Sequence, residues 1–273
     1  MAFRRSHVLL VTLLALGAAV SIFPAVWMFY TSFCPSDELT AVPPVLIHRK
    51  ITLLNYAQIF SNAPIVRWTI NSFVICAVIT LGQLLFDSMA GYAFAKKRFP
   101  GDKVLFWLIV ATMMVPVQIL IVPLYLMMVK LHLVDTLWAA ILPGLAGPFG
   151  IFFMRQYMLT IPTELEEAAR IDGCTELQIF FRIILPISAP ALGVLAIFLF
   201  ISNWNSFLWP LLVLNSAETY TLTVGLATLQ DKQALDYGLL MAGAAIASLP
   251  MFGVFLLFQH MFIRGVRMGA LKG

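Results

Sequence analysis

An all-α integral membrane fold with six spans and a cytoplasmic two-helix segment is the class this sequence predicts. Three observations predict it. Hydrophobic residues make up 61% of the 273-residue chain and charged residues only 11%, with a mean hydropathy of +0.94, whereas soluble chains carry roughly 25% charged residues. The apolar residues gather into six runs, each near the ~20 residues that a helix needs to cross hydrocarbon. A polar island at residues 162–186, PTELEEAARIDGCTELQIFFRIILP, holds seven of the chain's 30 charges.

The first run, 8–33, follows Arg4 and Arg5 but is too long for a signal-peptide core and lacks a small-x-small cleavage site. Bulky Phe33 ahead of Cys34 also argues against lipid attachment, so the run is expected to persist as a helix. The other expected spans are 68–94, 104–129, 137–154, 190–214 and 237–262, and residues 1–273 read as a single membrane domain. Prolines 24, 116, 123, 143, 148, 210 and 250 fall inside these runs, past their first residues, and each interrupts helix hydrogen bonding and permits a kink.

Orientation follows from the cations. With six spans both termini lie on one side, and 12 of the 17 Lys and Arg residues, including Lys96, Lys97, Arg98, Arg155, Arg170 and Arg264, fall on that side. The basic side is the cytoplasmic one. The chain is therefore expected to be a multi-pass protein of the inner (plasma) membrane with both termini and the polar island in the cytoplasm. Residues 34–67 and 215–236 face outward. The formal charge of +4 reports topology, since its cations are spread over short loops and form no patch for nucleic acid. Cys34, Cys76 and Cys174 fall on different sides or depths, which forbids a disulfide among them. The four histidines show no metal-ligand spacing.

The island carries local helix signals. Thr163-Glu164-Leu165-Glu166 has the form of a capping box. Gly173 stands where a first short helix would end in a left-handed turn. A second helix follows with Leu177, Phe180, Phe181 and Ile184 on one face, and Pro186 is expected to stop it.

Glu167, Ala168, Ala169, Gly173, Ile183, Leu185 and Pro186 match, at every spacing, the Glu-Ala-Ala motif of ABC importer membrane subunits. With Met154-Arg155-Gln156 and Ile171-Asp172-Gly173 as flanks, the chain resembles the carbohydrate-uptake branch, in particular the smaller six-span membrane subunit of maltose-type importers. The resemblance implies the type I ABC importer fold and a coupling segment at 159–188 that docks in a cleft of an ATP-hydrolysing subunit. By motif, the coupling residues are Glu167, Ala168, Ala169, Arg170, Asp172, Gly173, Leu185 and Pro186. It implies a second homologous permease subunit, two copies of the ABC ATPase, which carry ATP and Mg, and an extracytoplasmic solute-binding protein. Glu218, Thr219 and Tyr220 are the candidate contacts to that binding protein. No catalytic residue, bound cofactor or metal is expected in this chain.

The residues themselves agree with an external energy source. The chain has no phosphate loop and no series of intramembrane acids and histidines of the kind that proton-coupled carriers use. An ATP-independent carrier or channel for a small polar solute is the alternative; a polytopic membrane enzyme lacks its acids, triad or metal cluster. Asn203, Trp204, Asn205 and Trp209 in the fifth span combine amide groups with flat aromatic faces, as a sugar path needs. The same amides serve equally well to knit helices. Asp87, the acid deepest in a span, is expected to pair with Lys96 or Arg98. Glu166 and Arg170 are spaced i, i+4 for a helical ion pair.

Overall fold

The computed structural model describes residues 2–41, 50–232 and 236–270. Arg49 and Lys272, two of the 17 cations counted for orientation, lie outside them, as do His48, Gly273 and the side chains of Arg4, Arg5, His7, Lys232, His260, Arg264 and Arg267. The described chain is helical, in the order α1 (Ala2–Ser32), α2 (Ser36–Leu39), α3 (Leu54–Asn62), α4 (Ile65–Lys96), α5 (Asp102–Thr112), α6 (Ile121–Lys130), α7 (Leu137–Ile141) and α8 (Pro148–Met158). It continues with α9 (Glu164–Ile171), α10 (Glu176–Ile179), α11 (Leu185–Ile187), α12 (Ala189–Trp204), α13 (Leu208–Val213), α14 (Leu222–Lys232) and α15 (Tyr237–Ala270).

Three of these helices are long and apolar enough to cross a membrane alone: α1 over Leu10–Ser32, α4, and α15 over Tyr237–Leu256. Three bent pairs pass the same test together. Asp102–Thr112 with Val117–Lys130 bends by 93°, Leu137–Gly144 with Pro148–Met158 by 41°, and Glu176–Ile187 with Ala189–Trp204 by 77°. Counting each pair once gives six. The expected third and fourth spans are thus broken helices, and the breaks fall at Pro116 and between Pro143 and Pro148. Pro24 and Pro250 instead sit inside unbroken helices. The fifth expected span, 190–214, divides where α12 ends at Trp204 and α13 begins at Leu208.

The chain forms two compact units. One contains residues 1–66 and 225–250. In it, buried Asn55 donates from Nδ2 to the carbonyls of Ser32 and Cys34 (2.9 and 2.8 Å), which ties α3 to the end of α1. Ser36 bonds the Asp236 carboxylate ahead of α15. Residues 215–236, expected as an outer loop, contain the 11-residue helix α14.

The second unit holds residues 67–224 and 251–273 and has two apolar cores. One packs Tyr92, Met154, Met158, Ile161 and Ala169 against Phe180, Ile184 and Leu195. The other joins Ile75, Ile79 and Met128 to Ala139, Ile141 and Val213. Between lipid-embedded helices, close approach replaces the hydrophobic effect as the source of affinity, and small residues allow it. At Gly91 of α4 a side chain would meet Met154 Cβ at 2.9 Å and the Arg155 backbone nitrogen at 3.0 Å.

Gly91→Ala is therefore expected to wedge α4 away from α8, because a backbone nitrogen cannot step aside. Overpacking of this kind costs about 1–3 kcal/mol. Thermal unfolding of the purified complex checks it, and an unchanged midpoint would contradict the close approach.

Candidate functional site

The polar island folds as two short helices about a left-handed turn. Gly173 has φ +82°, and no atom lies within 4 Å of where a side chain would start, so the requirement for glycine is one of backbone conformation. The expected capping box at Thr163 is absent: Thr163 has helical φ and ψ and makes no side-chain cap. The box forms instead at Thr175, whose hydroxyl accepts from Gln178 N while Gln178 Oε1 accepts from Thr175 N. The reason lies in Glu166, whose carboxylate is taken by other partners. It is 1% exposed; Lys96 Nζ lies 3.6 Å from Oε1, and Lys97 Nζ 3.3 Å, Tyr92 OH 3.0 Å and Arg170 Nη2 3.4 Å from Oε2. The i, i+4 pair of Glu166 and Arg170 is present as expected. The lysines, 69 residues away for Lys97, were not foreseen.

After α10 the backbone widens into a π-helical turn at Phe180–Ile184. That turn shifts the helical phase. Ile179, Phe180 and Ile184 are buried, whereas Leu177 and Phe181, expected on the same face, are exposed. Nor does Pro186 stop the helix: it lies within α11, and the 77° bend comes after Ile187. Glu176 holds the two helices together, accepting from Arg170 Nε at 3.0 Å and pairing with Lys97. Hydrogen bonds from Lys97 and Arg170 hold its carboxyl at about 2, well below the usual carboxylate range.

The residues expected to couple separate by face. Ala169 is buried in the core of its own unit, beside Met154, Met158 and Phe180. Glu167, Ala168, Arg170, Asp172 and Gly173 are exposed. Leu165 and Ile171 also face out, Ile171 with 87% of its surface free. Leu165, Ala168 and Ile171 recur at i, i+3, i+6 and form an outward apolar stripe on α9. Their i, i+3, i+6 spacing is the sequence signal for the stripe, and Ala168 is also a motif position. Leu185 is half-buried and Pro186 exposed.

A cavity of about 370 Å³ opens in the same unit. Its wall includes Ser72, Gln118, Asn203, Trp204, Phe207 and Trp209. The Nδ2 of Asn203 is buried with no hydrogen-bond partner. Trp204 is buried, stacked on Phe200 (5.8 Å, 15°) and edge-on to Phe73 (5.1 Å). Trp209 lines the cavity and donates its Nε1–H to the Ala139 carbonyl at 3.0 Å. Asn205 does not reach it: it is exposed, and its Nδ2 donates to Ile201 O and to Met251 Sδ. Three of the four proposed path residues are thus brought together.

Asp87 departs from expectation. It is fully buried, and its Oδ1 accepts from Gly147 N at 2.9 Å while Oδ2 has no hydrogen-bond partner. Lys96 lies nine residues further along the same straight helix, about 13 Å away at 1.5 Å per residue, and Arg98 lies beyond the helix end; they pair instead with Glu166 and Asp102. Asp87 caps the start of α8 across the helix pair.

Residues 215–222 are fastened from two sides. One oxygen of Asp135 accepts from Asn215 N, Ser216 N, Ser216 Oγ and Thr219 Oγ1 at 2.6–3.1 Å. Burial alone would raise this carboxyl, but these donors outweigh it and bring it down to about 2. On α4, Trp68 Nε1 donates to Ala217 O and Asn71 Nδ2 donates to Glu218 O and Tyr220 O. Of the three candidate contacts, Glu218 faces outward, while Thr219 and Tyr220 are half-buried and engaged within the chain.

Residues 87–268 match the binding-protein-dependent transport system inner membrane component family. The chain belongs to this family. It is 42% identical to the arabinooligosaccharides transport system permease protein AraQ of Halalkalibacterium halodurans, with 99% of both chains covered. It is 35% identical to the lactose transport system permease protein LacG of Rhizobium radiobacter (96% of this chain, 94% of the relative). It is 33% identical to the sn-glycerol-3-phosphate transport system permease protein UgpE of Escherichia coli (93% and 94%). The fold is shared with a chain of a bacterial ABC transporter that imports the acidic polysaccharide alginate, at a TM-score of 0.83, 24% identity and coverage of 95% and 97%. The protein is an inner membrane permease component, and the non-catalytic role that its sequence implies is that of its relatives.

Gly173→Val should abolish uptake while leaving membrane insertion normal, because a left-handed residue with a side chain costs about 1–2 kcal/mol and a β-branched one more. Gly173→Asn, which tolerates this conformation, should retain most uptake. Equal activity of the two variants in transport assays on assembled complexes would contradict the turn.

Proposed function

We propose that this permease is one of two homologous chains in an ATP-driven importer for a neutral sugar or short oligosaccharide. The observation that carries the coupling reading is the α9 stripe of Leu165, Ala168 and Ile171, apolar and open on a mount whose other side is buried. A contiguous exposed apolar stripe rimmed by polar residues marks a site of protein contact. The ATPase subunit is that partner, one for each permease chain, and it alone binds ATP and Mg. ATP-driven closure of the ATPase pair moves α9 and opens the path outward; hydrolysis returns it inward. Both termini lie in the cytoplasm with the segment, and an extracytoplasmic binding protein meets the opposite face, where Glu218 is the outward contact.

The cavity bears on the solute. Among the described residues its wall has amides, hydroxyls and tryptophan faces and no charged side chain, and its volume sits at the lower end of ligand pockets, about 300–1,000 Å³. A phosphate or carboxylate passing through would be desolvated with nothing to pair it. Neutral sugars, as in the names of the arabinooligosaccharide and lactose relatives, fit this wall; the phosphorylated polyol of a third relative does not.

Ile171→Glu should weaken copurification with the ATPase at least tenfold, since burying an isoleucine is worth about 1.5–3 kcal/mol and 1.4 kcal/mol is a factor of ten. Undiminished ATPase capture would remove the docking reading. In liposomes carrying the assembled transporter, arabinotriose or lactose uptake should exceed that of sn-glycerol-3-phosphate, and Trp204→Leu should lower it per assembled complex. Preferential import of the phosphorylated solute would overturn the neutral assignment.

A further inference from the structure

We propose that the charge cluster around Glu166 is the joint through which α9 moves α4, and that Glu166, Lys97 and Glu176 are positioning residues for coupling. The proposal rests on the docking role assigned to α9 above and adds which membrane helix it drives. Two carboxylates, three cations and one phenol meet at one place. Glu166 is held by Lys96 and Tyr92 of α4, by Lys97 just past its end, and by Arg170 from its own helix. Glu176, beyond the Gly173 turn, is held by Lys97 and Arg170. Lys96 also bonds the Ile161 carbonyl just ahead of the segment, and Lys97 Nζ sits 4.7 Å from the centre of the Tyr92 ring. Both helices of the island are therefore fastened to the last turn of α4.

Burial decides against a merely stabilising role. A carboxylate 1% exposed has lost its water, and ion pairs so placed return little net stability compared with an apolar packing of the same volume. Their better-attested use is to fix one arrangement among several. Here the arrangement fixed is the register of α9 on α4, and its geometry suits a joint, since one anion is gripped from both helices. Glu176 lies at the exposed margin, with 55% of its side chain free, and closes the ring on the solvent side.

The test uses the assembled transporter with its ATPase, in a chain whose native cysteines are replaced and whose exposed Arg98 and Glu164 carry spin labels as Arg98→Cys and Glu164→Cys. In this background and with Lys97→Arg, one narrow label distance is expected with and without ATP. Lys97→Met and Glu176→Gln should broaden that distance and lower arabinotriose imported per ATP hydrolysed at least fivefold, with complex yield unchanged. Glu176→Gln alters an exposed position, so it remains informative where a buried change impairs folding. A narrow distance and an unchanged ratio in these variants would overturn the joint, as would a loss of yield alone. If the ATPase fails to bind the parental chain, the docking reading falls first and this one with it; ATPase binding with intact coupling in every variant would reject the joint alone.

Discussion

Hydrocarbon cannot exchange hydrogen bonds with a backbone, and that constraint arranges most of this chain. A membrane helix is broken only where protein groups or a water-lined space can take the freed amides and carbonyls. The chain breaks its helices beside Pro116, around residues 144–147 and at Asn205–Phe207, and Val117, Gly144 and Ser206 from these three places line one cavity. Gly147 N at the second break finds Asp87. The Nδ2 of Asn205, at the third, satisfies the Ile201 carbonyl. The polar residues of the spans are thus gathered where the backbone is interrupted, and a cavity with amide and hydroxyl walls follows from the same economy of hydrogen bonds.

How much of this was legible follows from the range of each interaction. Span existence is a property of about 20 consecutive residues, so six apolar runs were read correctly as helices, single or broken. The Gly173 turn and the Glu166–Arg170 pair are contained within a few residues and were also visible. Failures came where partners lie far along the chain. Thr163 and Glu166 had the spacing of a capping box, but Lys96 and Lys97 took the carboxylate first. Asp87 stood within a dozen residues of two cations and yet bonded an amide 60 residues away, because a straight helix separates in space what sequence holds close. The buried face of the second island helix was misassigned at Leu177 and Phe181 because a π-helical turn breaks the 3.6-residue period on which the assignment rested.

The fastening of residues 215–222 shows the same limit from the other side. Asp135, with φ +64°, directs one oxygen at four donors 80 to 84 residues later, and nothing local marks it. Its effect is to hold Asn215, Ser216 and Thr219 in one arrangement.

One element connects all of these places. α4 runs unbroken for 32 residues, about 48 Å at the standard rise. Near its start Trp68, Asn71 and Ser72 hold residues 217–222; its middle supplies Ser72, Cys76 and Ile79 to the cavity wall; its end carries the lysines that grip Glu166. Every other span that lines the cavity is interrupted near it. A rigid rod among hinged neighbours is the element best able to carry a displacement from one membrane face to the other, since a broken helix absorbs motion at its break. The buried carboxylate at the foot of that rod, and the aromatic and amide donors at its head, then sit at the two ends of the element that the proposed joint would drive.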